Sequence, residues 1–193
     1  MNLTKNNYPR IYLINTSNHN QFKHLISFAD DYIKLRTRRI KDQQNIANSL
    51  VGNVARKLLL YKLFKIKDQE IIFNEQNKPE LKNYKNLHFN ISHSKSFVVI
   101  AINTTEIGID IQQKLTPNEK IINYIFTEKE KEKFYKSADK SEMYTKLWTQ
   151  KESAAKLTGK GMAFHKDNDN ENIKTKTFRY KDYIISYSVF KNC

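Results

Sequence analysis

Two nearly continuous β-branched runs in the middle of the chain, Phe97-Val98-Val99-Ile100-Ala101-Ile102 and Ile107-Gly108-Ile109-Asp110-Ile111, constrain the fold most strongly. Runs this short, apolar and β-branched read as strands rather than helices. Only Asn103-Thr104-Thr105-Glu106 separates them, the length of a hairpin loop, so the two runs are expected to pair. Before them the pattern is helical: Ile46, Leu50, Val51, Val54, Leu58 and Tyr61 recur at helical spacing through about Phe64. Phe22, Leu25, Ile26, Phe28 and Ile33 predict a helix leading into the basic run Arg36 to Lys41. Tyr8 to Ile14 and Leu87 to Ser92 read as further strands, with Pro79 marking a break between helix and strand.

After the central runs the chain turns helical again. Thr116-Pro117 reads as an N-cap followed by proline at the first helical position, and Thr127-Glu128-Lys129-Glu130 fits a capping box. A helix is predicted from about Ser141, ending at Gly159 and Gly161, two of only four glycines in the chain. The polar stretch Asp167 to Asn172 reads as a loop, and Thr175 to Tyr180 with Tyr183 to Phe190 as a closing hairpin around Lys181-Asp182. Strands and helices in this order imply an α+β fold, with two similar halves, 1–104 and 105–193, meeting near residues 103–106.

At 193 residues and 39% hydrophobic content, the chain can bury a sizeable core. Its net charge of +14 predicts attraction to anions such as nucleic acid, acidic lipid, phosphorylated small molecules or an acidic protein. Cys193 is the single cysteine, which excludes an intrachain disulfide and a cysteine-based metal site. The segment Met1 to Asn7 lacks the apolar core of a signal peptide, and nowhere do 18 apolar residues run together, so a cytoplasmic location without membrane contact is expected.

Three segments carry chemistry. In Trp148-Thr149-Gln150-Lys151-Glu152-Ser153-Ala154-Ala155-Lys156 the residues Trp148, Glu152 and Lys156 fall at i, i+4 and i+8 along one helical stripe with Lys151 at its flank. An acid and a base then reach one spot, although Glu152 before Lys156 is also a favourable pair on any exposed helix, worth roughly 0.2–0.5 kcal/mol. Strand alternation in Ile107 to Gln112 sends Gly108, Asp110 and Gln112 to one face and the isoleucines to the other. Aspartate is disfavoured in strands, so Asp110 breaks local preference in the way functional sites do; the alternative is an exposed aspartate on a half-solvated sheet. In Phe89-Asn90-Ile91-Ser92-His93-Ser94 two hydroxyls, an amide and an imidazole gather at a strand end, a set suited to phosphate oxygens or simply to a turn. A Ser-His catalytic pair is not supported, because adjacent strand residues point to opposite faces and no Gly-x-Ser-x-Gly surrounds them.

Together these segments resemble the 4′-phosphopantetheinyl transferases, specifically the Sfp-type branch. The resemblance rests on four ordered pieces: Asn77-Lys78-Pro79, Phe89 to Ser94, Ile107 to Ile111, and Trp148 to Lys156. A weaker fifth piece is Arg36 to Lys41 followed by Asn48-Ser49-Leu50-Val51-Gly52. The resemblance implies two similar α/β halves related by pseudo-twofold symmetry, with the active site in the cleft between them, usually in a monomer. It implies transfer of phosphopantetheine from coenzyme A to a serine of an acidic apo acyl or peptidyl carrier protein, with release of adenosine 3′,5′-bisphosphate. Mg²⁺, or Mn²⁺, would be held by Asp110 and Glu152, consistent with its preference for carboxylates and substrate phosphates.

By the same resemblance Glu152 takes the proton of the carrier serine, Lys156 stabilises or protonates the leaving bisphosphate, and Lys151 holds phosphates. His93 and Ser92 contact coenzyme A phosphates, Lys78 lies near the nucleotide, Arg36 binds the 3′-phosphate and Ser49 lies near the adenine. Glu130 matches a third acidic position of the family, but the capping box already explains it. Gln112 stands where many members have Glu, so it offers the metal a carbonyl oxygen without charge. Asn77 replaces a glycine often found before Lys-Pro. Two other readings compete: a basic nucleic-acid-binding protein, motivated by the charge but lacking any matching motif, and a catalytically silent relative that binds carrier protein, motivated by Gln112.

Overall fold

The computed structural model describes residues 9–161 and 172–191. The N-terminal segment Met1 to Asn7, residues 167–171 of the expected polar loop, and Cys193 lie outside them. The described residues form an α+β fold with three antiparallel sheets and five α-helices. The first sheet has the order β1-β5-β4, from β1 (Arg10–Asn15), β4 (His88–Ser94) and β5 (Phe97–Asn103). The second has the order β6-β8-β7, from β6 (Ile107–Gln113), β7 (Ile173–Tyr180) and β8 (Tyr183–Phe190). A two-stranded ribbon, β2 (Ile71–Phe73) with β3 (Pro79–Leu81), stands apart. Sequence periodicity missed this ribbon because each strand is only three residues long, and Pro79 fits as the first residue of its strand.

The expected pairing of the two central runs is wrong. β5 and β6 belong to different sheets, and residues 104–106 carry the chain from one sheet to the next. The reason lies in burial: Val98, Ile100 and Ile102 face the core beneath helix α2 (Gln43–Phe64), while Phe97, Val99 and Ala101 face Ile107, Ile109 and Ile111 of β6. A strand covered on both faces is apolar throughout, and a short continuous run cannot tell a hairpin partner from a facing sheet. The core is therefore a stack of helix, sheet, sheet and helix, with α2 outside the first sheet and α5 (Lys140–Thr158) outside the second. Each half has one three-stranded sheet and one long helix, a composition consistent with the expected pseudo-twofold arrangement.

Two further expectations need correction. The helix predicted through Phe22 and Ile33 is broken: a 3₁₀ segment, His19–Phe28, ends at Ala29, the backbone extends at Asp30, and a separate α1 covers Asp31–Thr37. Thr116 is not an N-cap; α3 (Glu119–Ile125) starts two residues later, where the Asn118 side chain accepts from the amides of Lys120 and Ile121. The capping box is present at Thr127, opening α4 (Glu128–Lys136). α5 is capped by Asp139 and ends at Gly159, whose φ of 72° is the left-handed conformation that glycine adopts without penalty. The hairpin β7–β8 turns at Lys181-Asp182 as expected. Among the described residues no helix is long and apolar enough to cross a membrane.

Candidate active site

Strand β6 lies directly under α5. A Cβ at Gly108 would sit 2.0 Å from the Ser153 carbonyl oxygen and 2.4 Å from the Leu157 nitrogen, so only glycine lets the helix and strand backbones meet there. Two residues on, Asp110 is carried beneath the same helix and is 1% exposed. Its Oδ1 accepts from Lys156 Nζ at 2.6 Å and from Ser92 Oγ at 2.7 Å, and Lys156 Nζ also donates to Ser92 Oγ at 2.9 Å. Its Oδ2 accepts from Gln112 Nε2 at 3.4 Å. The carboxylate thus meets a charged donor, as a buried ion must. Helix α5 is fixed to the sheet by two rows of hydroxyls, Thr149 to Ser186 to Thr177 and Ser153 to Ser188 to Thr175, with separations of 2.7–2.9 Å.

β4 brings the second set of groups. As the edge strand of the first sheet it runs beside β6 in the same direction without a backbone ladder. Instead, Asn90 Oδ1 accepts from the Ile109 amide at 3.0 Å and Ser94 Oγ from the Gln113 amide at 3.1 Å. Side chains of β4 therefore satisfy the open edge of β6, and Ser92 between them reaches Asp110. His93 points from the opposite face of β4, yet both line one cleft, because the strand is an edge and the cleft wraps around it.

This cleft has a volume of about 590 Å³ and is lined both by α1, α2 and β4 and by β6 and α5. Asp110, Gln112, Trp148, Glu152 and Lys156 line it from the second half. Arg36 of α1, Ser49 of α2, and Ser92 and His93 of β4 line it from the first. The helical stripe Trp148, Glu152, Lys156 therefore faces the cleft as its spacing predicted. Burial pushes the Glu152 carboxyl above the usual carboxylate range; Lys156 opposes the shift and the Asp110 charge adds to it. Burial holds the His93 imidazole below its ordinary value, and the cations Arg36 and Lys156 reinforce that against Asp110.

Three expected site residues stand off the cleft wall. Lys151 is 5% exposed and pairs with Glu130 at 3.0 Å, bracing α5 against α4. Glu130 also accepts from the Thr127 amide at 2.8 Å, completing the capping box. Lys78 Nζ donates to the Leu157 carbonyl at 3.1 Å and meets Glu106 at 3.4 Å, tying the ribbon to the end of α5, while its neighbours Asn77 and Pro79 line the cleft. Sequence reading also missed residues that do line it, among them Tyr32, Asn53 and Phe73. Phe73 is 48% exposed and meets the Tyr32 ring edge-on, 5.2 Å between centroids. An aromatic in a three-residue strand has no period to betray its role.

For a metal ion, the cleft offers the carboxylates of Asp110 and Glu152, oxygen donors that suit a hard divalent cation, while the Gln112 amide turns its Nε2 to Asp110 and its oxygen accepts from Ser94 Oγ at 3.3 Å. No group of three or more His, Cys, Asp or Glu side chains that could hold a metal occurs among the described residues.

Known proteins resemble this chain along most of its length. Residues 106–189 match the pattern of a family described as the 4′-phosphopantetheinyl transferase superfamily, and residues 4–105 one described as 4′-phosphopantetheinyl transferase, N-terminal. The chain is 30% identical over 148 residues to the 4′-phosphopantetheinyl transferase psf-1 of Bacillus pumilus, covering 75% of this chain and 62% of that protein. It is 37% identical over 118 residues to gsp of Aneurinibacillus migulanus, covering 59% and 49%. To Sfp of Bacillus subtilis (strain 168) it is 27% identical over 163 residues, covering 82% and 72%. The chain thus spans from about half to less than three quarters of the length of these relatives. With the two patterns following one another along almost the whole sequence, the chain belongs to the 4′-phosphopantetheinyl transferase superfamily.

Proposed function

We propose that this chain transfers the 4′-phosphopantetheine group of coenzyme A to a serine of an apo acyl or peptidyl carrier protein, leaving adenosine 3′,5′-bisphosphate. The observation that carries this reading is a cleft with carboxylates Asp110 and Glu152 beside Lys156 on one wall, and the Arg36 cation, the Ser92 hydroxyl and the His93 imidazole on the other. A molecule with several phosphates needs cations along its length, and a transferred group needs acid and base at one point of it.

Glu152 is the proton acceptor for the carrier serine hydroxyl; its raised basicity brings it closer to the working pH of a general base. Lys156 offsets charge on the departing bisphosphate and supplies its proton, and Ser92 holds Lys156 in place. His93, kept neutral by burial, donates a hydrogen bond to phosphate rather than a charge. Arg36 takes the 3′-phosphate, and Ser49 lies near the adenine. Lys151, Glu130 and Lys78 act through structure in this reading, since their charged ends are engaged off the cleft wall. Asp110, Glu152 and Gln112 would hold Mg²⁺ or Mn²⁺, which supplies charge neutralisation of the pyrophosphate.

The reading also takes residues 1–104 and 105–193 as the two halves, an acidic carrier protein as partner, and a cytoplasmic monomer as the working form. Catalysis is expected to be mostly positioning and electrostatics. The test is mass spectrometry of apo carrier proteins incubated with this protein, coenzyme A and Mg²⁺. Addition of one phosphopantetheine arm by wild type and its loss with Glu152→Ala is the expected result. No addition to peptidyl, polyketide or fatty-acid carriers, with coenzyme A still bound, would leave the silent relative as the better account.

A further inference from the structure

Asp30 occupies the N-cap position of α1 but does not cap it. The backbone is extended there, as at an N-cap, yet no cap hydrogen bond leaves the side chain. Its carboxylate is turned to α2 instead. Oδ2 accepts from Arg56 Nη2 at 2.5 Å and from Asn53 Nδ2 at 2.9 Å, Oδ1 meets Lys57 Nζ at 3.1 Å, and the Asp30 amide donates to Asn53 Oδ1 at 3.0 Å. An aspartate at an N-cap ordinarily satisfies its own helix. Here that role is given up so that one carboxylate can gather three side chains of another helix.

Arg56 is the other half of the arrangement. It is fully buried, its guanidinium lies over the Phe89 ring at 5.1 Å, and Nε and Nη1 find no hydrogen-bond partner among the described residues. Asp30 is the carboxylate that compensates its charge. Burying an arginine with two unmatched donors is unfavourable, and a local rule broken this way points to a task. Helix α1 explains what the task is. With seven residues it is too short to persist alone, and its buried side chains are Ile33 and Thr37. Its Tyr32, Ile33 and Arg36 nevertheless line the cleft together with Ser49, Gly52 and Asn53 of α2.

We propose that Asp30 and Arg56 clamp α1 to α2 and so position Arg36 for the phosphate at that end of the cleft. This rests on the reading of the cleft as a coenzyme A site. Asp30 and Arg56 touch neither substrate nor reacting atoms; they are positioning residues, and their effect passes through Arg36. With Arg36 read as the 3′-phosphate contact, the chemistry they select for is a second phosphate on the ribose.

The full chain and the probes adenosine 3′,5′-bisphosphate and adenosine 5′-monophosphate test this by calorimetry, together with hydrogen exchange of the α1 amides. Asp30→Asn should weaken the bisphosphate about tenfold, leave the monophosphate unchanged and speed exchange in residues 31–37 but not in α5. In an Arg36→Gln background the same change should bring no further loss, since the interaction is then already gone. Equal losses in both backgrounds, or α1 exchange as slow as in wild type, would overturn the clamp. If Asp30→Asn does not fold, Asp30→Asn with Arg56→Met removes both charges of the pair and is judged by the same criteria. A wild type that binds no bisphosphate refutes the coenzyme A reading, while α1 exchange still decides the clamp.

Discussion

Gly108 shows how one residue type can place a whole site. No rotamer relieves a Cβ 2.0 Å from a backbone oxygen, so Gly108→Ala must push α5 away from β6. The overpacking should cost about 1–3 kcal/mol, read as a lowered midpoint in thermal or denaturant unfolding. More telling is the site, where Lys156 and Asp110 are held at 2.6 Å by that approach. Displacing one wall by about 1 Å is expected to reduce the proposed transfer by about 100-fold, measured as kcat, although Gly108 has no side chain to contribute. At this scale the sequence was informative about identity but not about reason: Gly108 and Asp110 stand out among isoleucines, while Lys156, which pairs with Asp110 from the helix that presses on Gly108, is 46 positions away.

Among the elements, β4 and β6 carry the join between the two sheets. Their neighbouring edges share no backbone ladder, and the amides of β6 depend on Asn90 and Ser94. Asn90→Leu keeps the size of the side chain and strands the buried Ile109 amide, so a loss of about 1–3 kcal/mol is expected in a denaturant titration. Asn103→Ala, which removes only a local bond to Thr105, should stay within about 0.5 kcal/mol. Equal effects of the two would mean that the side-chain join is not what holds β4 to β6. The strand was legible from Leu87 to Ser92, two residues short of its end at Ser94; that its polar residues serve a neighbouring edge was not, because no period encodes a partner in another sheet.

For the molecule as a whole, pH reports how the site is buried. His93 and His88 are both held below their ordinary 6.5 by burial, so the unfolded chain takes up protons before the folded one does. The stability they contribute is present above pH 6.5 and is lost as pH falls through their lower folded values. Unfolding midpoints should therefore drop from neutral toward acid pH, and His93→Gln should flatten that slope; an unchanged slope would show that His93 is solvated in the native state. What the sequence determined by itself was local: the helical stripe of Trp148, Glu152 and Lys156, the capping box at Thr127, the closing hairpin, and the motifs that mark the family. Tertiary structure decided that β5 and β6 face each other across a core instead of pairing, since an apolar run records burial and not which neighbour buries it. It also decided that Lys151 meets Glu130 between α5 and α4, that Lys78 meets the end of α5, and that Asp30 and Arg56 meet, because a charge written in the sequence carries no record of the counter-charge that folding brings to it.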